Sequence, residues 1–575
     1  MKNKEIANIF DELGDMVEFL GENPFRARAY KRAAQIIYGL SEDVEKLYKT
    51  GKLSEIKGIG EGIIQKIGEY LEKGKISVYE EYKSRIPEGL LELLSIPYIG
   101  PVTLRTLYEK LHITNFDELI KACEDKLIRN LPNFGPKKEE NILKGLLRYK
   151  EQTYRHPIGQ IYEDIIDLLK ELKKIPGVIR AEVAGSFRRM KETIGDIDIL
   201  ATGYNKPEII KSFTKLPFVK EVLSEGETKS SVILKTDIQA DLRVVEDISF
   251  GACLQYFTGS KNHNVKLRGI AKDKGLKINE YGIFKGNEMI PCQEEEEVYK
   301  KLGLPWIPPE LREDNGEIEL AQKGIVPELI GYNDIKGDVH VHSTYSDGGE
   351  TIRAMVEAAI RMGYEYIVIT DHSQSLKIAK GLEIERLFKQ AEEIDKLNKE
   401  LKPFKIFKGS EVDIKNDGSL DYPDEVLKTL DFVIASIHSG FKEDEKKITS
   451  RILSAMENPY VTMIAHPTGR ILNTREPYNI NIIEMCKFAE KTNTYLEINA
   501  YFDRLDLNDI NARIAKEYGV KFCIGTDSHN ASQLKMMKYG IGQARRAWLS
   551  KDDVINTKSI EDFIKAIKLK REKYA

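Results

Sequence analysis

The rhythm of apolar and polar positions changes along this chain. Residues 1–154 read as short helices interrupted by Gly and Pro, starting with the acidic amphipathic pattern MKNKEIANIFDELGDMVEFL. From 155 to 248 strand-like and helix-like stretches alternate, and 249–316 is mostly helical and basic. A Pro/Gly-bearing stretch over 317–335 reads as a linker. From 336 to 575 short apolar runs alternate with helical patterns. The residues ending those runs, His342, His372, Glu411, His438, His466, Asn499 and Asp527, are 30, 39, 27, 28, 33 and 28 positions apart. That is near the ~30 residues of a βα unit, so the pattern predicts a barrel of parallel strands.

Polar chemistry collects where those runs stop. Six of the nine histidines lie between His340 and His529. The motifs are H-V-H-S-T-Y-S-D-G from His340, T-D-H-S ending at Ser373, S-I-H-S around His438, A-H-P around His466 and G-T-D-S-H ending at His529. His340, His342, Asp347, His372, Glu411, His438, His466, Asp527 and His529 together offer nine nitrogen or oxygen donors and no sulfur. Nine exceed what one ion uses; with Glu411 as a bridge they suffice for three, of a kind such as Zn²⁺, Mn²⁺ or Fe. A lone histidine on an apolar face is usually a core residue bonded to backbone, but six at strand ends with three acids do not read that way.

A second centre lies near the middle. In A-G-S-F-R-R-M-K-E-T-I-G-D-I-D, Asp196 and Asp198 are two apart on an expected strand and so share a face. Asp241 in A-D-L-R offers a third carboxylate. Three convergent carboxylates suit two Mg²⁺ or Mn²⁺ ions, which together activate an attacking hydroxyl and stabilise a leaving pyrophosphate. Gly185 and Ser186 before a helix supply N–H and O–H donors for a triphosphate, and Arg189 adds charge. A D-x-D alone would more often mark a turn or strand edge.

The N-terminal helices contain I-K-Gly58-I-Gly60-E-G before an apolar-periodic stretch, the pattern of a helix-hairpin-helix. It recurs around Gly100, where Tyr98 replaces a first glycine, and around Gly135. Three hairpins in 140 residues predict sequence-independent grip on a DNA backbone. Net charge is −4, so such binding rests on local patches, of which PFRARAYKR (24–32) and the stretch 259–277 are the most basic. Five scattered cysteines exclude a zinc ribbon or disulfide framework and fit a reducing cytoplasm, and no run approaches the ~18 apolar residues of a membrane span.

The ordered set G-S-F-R-R…G-D-I-D, A-D-L-R, Y-F-T-G-S (256–260), Asn264…Arg268 and N-E-Y (279–281) resembles the family X DNA polymerases over residues 1–315. The resemblance implies that Asp196, Asp198 and Asp241 bind two metals, with Gly185, Ser186, Arg189, Gly195 and Gly259 around the triphosphate. Tyr256 and Phe257 would lie beneath the sugar. Asn264 and Arg268 would reach the nascent pair and template, with Arg243 on the DNA side. Lys66 aligns with the lysine that forms a Schiff base in lyase-competent relatives, though its supporting lysine is Gly62 here. The five-residue M-K-E-T-I before Gly195 is longer and less glycine-rich than the family's and is expected to affect only a loop.

Residues 336–575 resemble the PHP (polymerase and histidinol phosphatase) domains, a distorted (β/α)7 barrel with three metals. By that resemblance His340, His342, Glu411 and Asp527 take one, Glu411, His438 and His466 a second, and Asp347, His372 and His529 the third.

The expected fold is therefore multidomain α+β and α/β. Helix-hairpin-helix domains occupy 1–85 and 86–154, a nucleotidyltransferase palm with a mixed sheet 155–248, a thumb 249–316, and the barrel 336–575. The expected function is a gap-filling DNA repair polymerase with a 3′-5′ exonuclease in the barrel. Its partners would be gapped or nicked DNA, primer 3′ ends and dNTPs, and it would act as a monomer in a prokaryotic cytoplasm at the nucleoid. Rival readings give the barrel a small-molecule phosphatase, an abasic-site endonuclease or a purely structural role, or make the whole chain a non-enzymatic DNA-end scaffold.

Overall fold

The structure is a computed structural model describing all residues except 1–2, 39–43, 57, 88, 97–98, 133, 154 and 575. The chain forms two compact units, 1–154 and 155–575.

The first unit is helical throughout its described residues. Its first helix, Asn3–Phe19, buries Ile6, Phe10, Leu13 and Val17, a stripe at helical spacing. The three hairpins share one construction. A 3₁₀ turn (Lys52–Glu55, Leu90–Ser95, Ile128–Asn130) leads through a glycine into a helix (Glu61–Lys73, Pro101–Leu111, Pro136–Thr153). Gly60 and Gly100 are the N-caps of their helices in extended conformation, and a side chain at either, or at Gly135, would meet open space. Gly58 differs: its φ is +104°, and a Cβ there would lie 2.6 Å from Ile36 Cδ1. Tyr98 lies outside the described residues.

The second unit begins with a five-stranded mixed sheet. Across it run Val178–Val183, Asp196–Gly203, Gln239–Val245, Lys229–Leu234 and Val219–Glu225. Only the second and third strands are parallel, and their register sets Asp198 directly beside Asp241. Helices Phe250–Thr258 and Lys261–Asp273 and a small three-stranded sheet follow. Here buried Glu295 binds Arg188 (2.7 Å), Arg312 (2.6 Å) and the Trp306 indole (2.8 Å), tying the helical part to the sheet. Its two guanidinium partners outweigh burial and hold its carboxyl below the usual range.

In the stretch 317–335, read as a linker from its Gly and Pro content, residues 317, 318, 321, 330 and 335 are buried and 322–325 are exposed. Glu317–Gln322 is helical, Glu317 accepts from buried His263 at 2.7 Å, and Ile330 is in the barrel's core.

Seven parallel strands then form a nearly closed barrel: Gly337–Val341, Tyr366–Ile369, Lys405–Asp413, Phe432–Ser436, Val461–Ile464, Tyr495–Asn499 and Phe522–Gly525. A parallel bridge between Val341 and Ser528 brings the last strand round to the first. Four residues before Glu411, His438 and Asp527 stand Phe407, Ile434 and Cys523, all in one apolar cluster with Phe563 of the C-terminal helix Ile560–Tyr574. Strand alternation therefore gives the barrel an apolar layer beneath and a polar layer at the strands' C-terminal ends.

Candidate functional site

The sheet's carboxylates border a cleft of about 970 Å³. Gly185, Ser186, Arg189, Asp196, Asp198, Tyr256, Phe257, Gly259, Asn264 and Arg268 all line it. Asp241 lies beside Asp198 in the next strand, Arg243 places its guanidinium 4.7 Å from the Phe257 ring, and Gly195 opens the strand carrying the aspartates. Gly185 sits at φ +62°, where a Cβ would lie 2.6 Å from Asp198 Oδ2; only glycine lets the turn pass this close to the carboxylate. Tyr256 and Phe257 meet edge to face at 5.3 Å. The Asn264 amide donates to the Tyr256 carbonyl (2.7 Å) and accepts from Gln255 (2.8 Å), which fixes its orientation. Arg189 is engaged by Glu313, its Nε 2.9 Å from Oε1.

Burial, with Asp196 and Asp241 close by, pushes Asp198 up to about 7. Three like charges on one face need a cation, and an all-oxygen donor set suits Mg²⁺ or Mn²⁺. A raised carboxylate pKa contributes stability that is full below the unfolded value and is lost as pH rises through about 7. Without divalent cations, melting temperature should fall through that window. Added Mg²⁺ should stabilise more a unit above it than a unit below, because the ion must displace the proton. Thermal melts with and without Mg²⁺ test this; equal Mg²⁺ stabilisation on both sides would rule it out.

In the barrel all nine expected donors meet at the strand ends. Among the described residues, the trios or larger sets whose ligand atoms all lie within 4.8 Å of one another are His340/His342/Asp527, His342/Asp347/His372/His529 and His372/Glu411/His438. Glu411 is the hub: His372 Nδ1 is 3.0 Å, His438 Nε2 3.3 Å and His466 Nε2 2.9 Å from its carboxylate, with His340 at 3.4 Å and His342 at 3.6 Å. Relative to the expected grouping, His372 stands near Glu411 as well as Asp347, and His466 reaches Glu411 without completing a tight trio.

Other residues, not singled out in the sequence, orient these side chains. Glu497 is fully buried and takes His340 Nδ1 at 2.6 Å, and Asp413 takes His438 Nδ1 at 2.6 Å. His529 Nδ1 lies 2.8 Å from the Asp527 carbonyl. Each contact ties up Nδ1 and leaves Nε2 facing the cluster, the usual second partner of a metal-binding imidazole. Asp413 shares Glu411's strand face two residues on, a legible signal, and Glu497 is a lone acid in the apolar run Y-L-E-I-N. Arg504 left no signal: it comes from a loop, lies 3.5 Å from Asp527, and its buried Nη1 has no hydrogen-bond partner.

The cluster fits metal. His340 Nε2, both His342 nitrogens, His372 Nδ1 and His466 Nδ1 are buried without a hydrogen bond, each normally a cost of about 1–3 kcal/mol. Burial disfavours charge on His340, yet Glu497, Asp527 and Glu411 outweigh it and hold the imidazole well above its ordinary pKa. Burial and neighbouring His372 push His342 down to about 4, and burial with Arg504 does the same to His466. Glu411, buried but ringed by His372, His438 and His340, is held well below the carboxylate range. A donor set of imidazole and carboxylate suits Zn²⁺, Mn²⁺ or Fe.

In the first unit Lys66 is half-buried on the helix after Gly60. Its Nζ is 3.3 Å from the Gly62 carbonyl and 5.9 Å from the Tyr30 ring centroid.

Comparison with known proteins agrees with this layout. Residues 1–76 match the helix-hairpin-helix domain and 90–146 the SAM-like helix-hairpin-helix tandem. Residues 155–266 match the DNA polymerase beta palm, 253–313 its thumb, and 338–501 the PHP domain. The chain is 41% identical over 566 residues to the DNA polymerase/3′-5′ exonuclease PolX of Bacillus subtilis (strain 168), covering 98% of each protein. It is 26% identical to DNA polymerase lambda of Arabidopsis thaliana over 54% of this chain and 62% of that one. A probable phosphatase of Thermoanaerobacter sp. (strain X514) is 30% identical over 40% of this chain and 96% of its own length. No helix among the described residues is long and apolar enough to cross a membrane.

Proposed function

The chain belongs to the family X DNA polymerases with a C-terminal PHP domain, and we propose that it fills short gaps in DNA and trims 3′ ends in its barrel. The observation that carries this reading is 41% identity over 98% of the chain to a relative named for both activities, with Asp196 and Asp198 lining the cleft and imidazoles and carboxylates clustered in the barrel.

In the cleft, the Gly185–Ser186 turn would donate N–H and O–H to a triphosphate, with Arg189 adding charge. Tyr256 and Phe257 would floor the sugar, and the fixed Asn264 amide and exposed Arg268 would face the new pair and the template. Cations on Asp196, Asp198 and Asp241 would lower the primer hydroxyl's pKa and offset charge on the leaving pyrophosphate. In the barrel, the nine ligands would hold ions that supply Lewis acidity toward a scissile phosphodiester. Glu497 and Asp413 would keep two imidazoles in the tautomer that faces those ions. Arg504's free Nη1 would take a phosphate oxygen. Gly60, Gly100 and Gly135, opening on empty space at helix starts, would admit a DNA backbone. We place the protein with its DNA in the cytoplasm, as a monomer.

The test is a labelled primer on a gap with a 5′-phosphate, with Mg²⁺ or Mn²⁺. Extension to the gap's end with dNTPs and shortening without them are expected; neither in any metal would refute the reading. Likeness to a probable phosphatase supports a second use of the barrel, on small phosphomonoesters. Faster release of phosphate from such an ester than of nucleotides from the 3′ end would favour it.

Lys66, on a DNA-facing helix, would attack a 5′-deoxyribose phosphate as its Schiff-base nucleophile. Borohydride should then trap the wild-type protein, and not Lys66→Ala, on that substrate. No adduct with the wild type would make Lys66 a plain DNA contact.

A further inference from the structure

The nucleotide cleft is not built from the palm and thumb alone: Asn508, Asp509, Ile510 and Arg546 of the barrel domain complete its wall. Arg546 is buried at the end of helix Met537–Arg546 and makes three bonds. One Nη1 contact, 2.9 Å, goes to the Arg189 carbonyl. The same nitrogen lies 3.0 Å from Glu313 Oε1, the oxygen that also takes Arg189 Nε at 2.9 Å. Nη2 is held by Asp509 at 2.6 Å. One turn earlier, Gln543 donates to the Met190 carbonyl at 3.0 Å.

Two consecutive carbonyls, just after the Gly185–Ser186 turn, are thus capped from the barrel. Met190 has φ +53° and packs on Gly542, where a Cβ would lie 2.7 Å from its Cε. Glu192, further along the same insert, pairs with Arg470 of the barrel at 2.6 Å. The insert expected to affect only a loop is one of the places where the barrel meets the palm.

We propose that Arg546 is a positioning residue for nucleotide binding, acting through Glu313 and Arg189. Its cation shares Glu313 Oε1 with Arg189 Nε, so the carboxylate's hold on Arg189 is divided and the guanidinium is freer to meet a triphosphate. Its bond to the Arg189 carbonyl fixes the backbone from which that guanidinium extends. The inference rests on the reading of the cleft as a dNTP site, which wild-type gap filling tests first.

The experiment uses the full-length protein. Arg546→Ala should raise the KM for dNTP about tenfold with kcat within about twofold, the pattern of lost uniform binding by a charge-assisted contact. Adding Glu313→Gln should recover part of that loss by removing the carboxylate that would then hold Arg189 undivided. Arg545→Ala is the structural control. It breaks a neighbouring inter-domain pair, Arg545 to Glu310 at 2.7 Å, away from the cleft, and should leave KM unchanged. If Arg546→Ala does not fold, Arg546→Lys, melting like wild type with a raised KM, carries the test. An unchanged KM in the folded variant, a rise matched by Arg545→Ala, or no recovery with Glu313→Gln would overturn the proposal. Absence of incorporation by the wild type would instead strike the polymerase reading.

Discussion

Replacing Asp196 and Asp198 together with alanine is expected to lower nucleotide addition at least about a thousandfold, the scale of losing a charge-stabilising centre. Both sit on strand Asp196–Gly203, with Asp241 paired to Asp198 across the ladder. Among the described residues, no other acid lining the cleft stands ready to replace them. Glu192 is paired with Arg470, Glu313 with Arg189 and Arg546, and Asp509 with Arg546. Folding should not suffer. Asp198 is buried beside two like charges, so its removal relieves repulsion, and the metal-free melting temperature should stay level or rise. Single-nucleotide incorporation and a thermal melt check both halves, and a large fall in melting temperature would show the carboxylates to be structural.

Glu411→Gln should be as damaging at the other centre. The isosteric amide preserves volume but removes the one anion approached by five imidazoles, the nearest, His466, at 2.9 Å. Bound metal should fall below the wild-type ratio, and 3′ shortening should drop at least about a thousandfold. Breaking a buried charge cluster from one side also costs about 3–5 kcal/mol, so this variant, unlike the aspartate pair, should melt lower. Metal analysis after dialysis, with the exonuclease assay, decides it. Full metal content in the variant would contradict Glu411 as the hub.

The clustered side chains of the barrel were legible in the sequence for a physical reason. A parallel barrel places its chemistry where apolar runs end, so each of His342, His372, Glu411, His438, His466 and Asp527 is announced by the strand before it. Gly185-Ser186 and the paired aspartates were legible because a tight turn and strand alternation leave local marks. What orients those groups was harder to see. Glu497 needs the barrel closed before it meets His340, and Arg504 reaches Asp527 from a loop. Gln543 and Arg546 look like ordinary polar helix positions, and only tertiary packing turns them toward Met190 and Arg189. In the stretch 317–335 Gly and Pro gave no sign of the helix Glu317–Gln322, because the burial of Glu317 depends on His263, far away in sequence.

Two chemically separate centres in one chain, one of carboxylates and one of imidazoles and carboxylates, should work independently. That independence is tested most directly by assaying the Asp196→Ala/Asp198→Ala variant and Glu411→Gln side by side on one labelled, gapped primer, with and without dNTPs. A crossed result is expected: the first shortens the primer and does not extend it, the second extends it and does not shorten it. Loss of both activities in the first variant, with its fold intact, would contradict it.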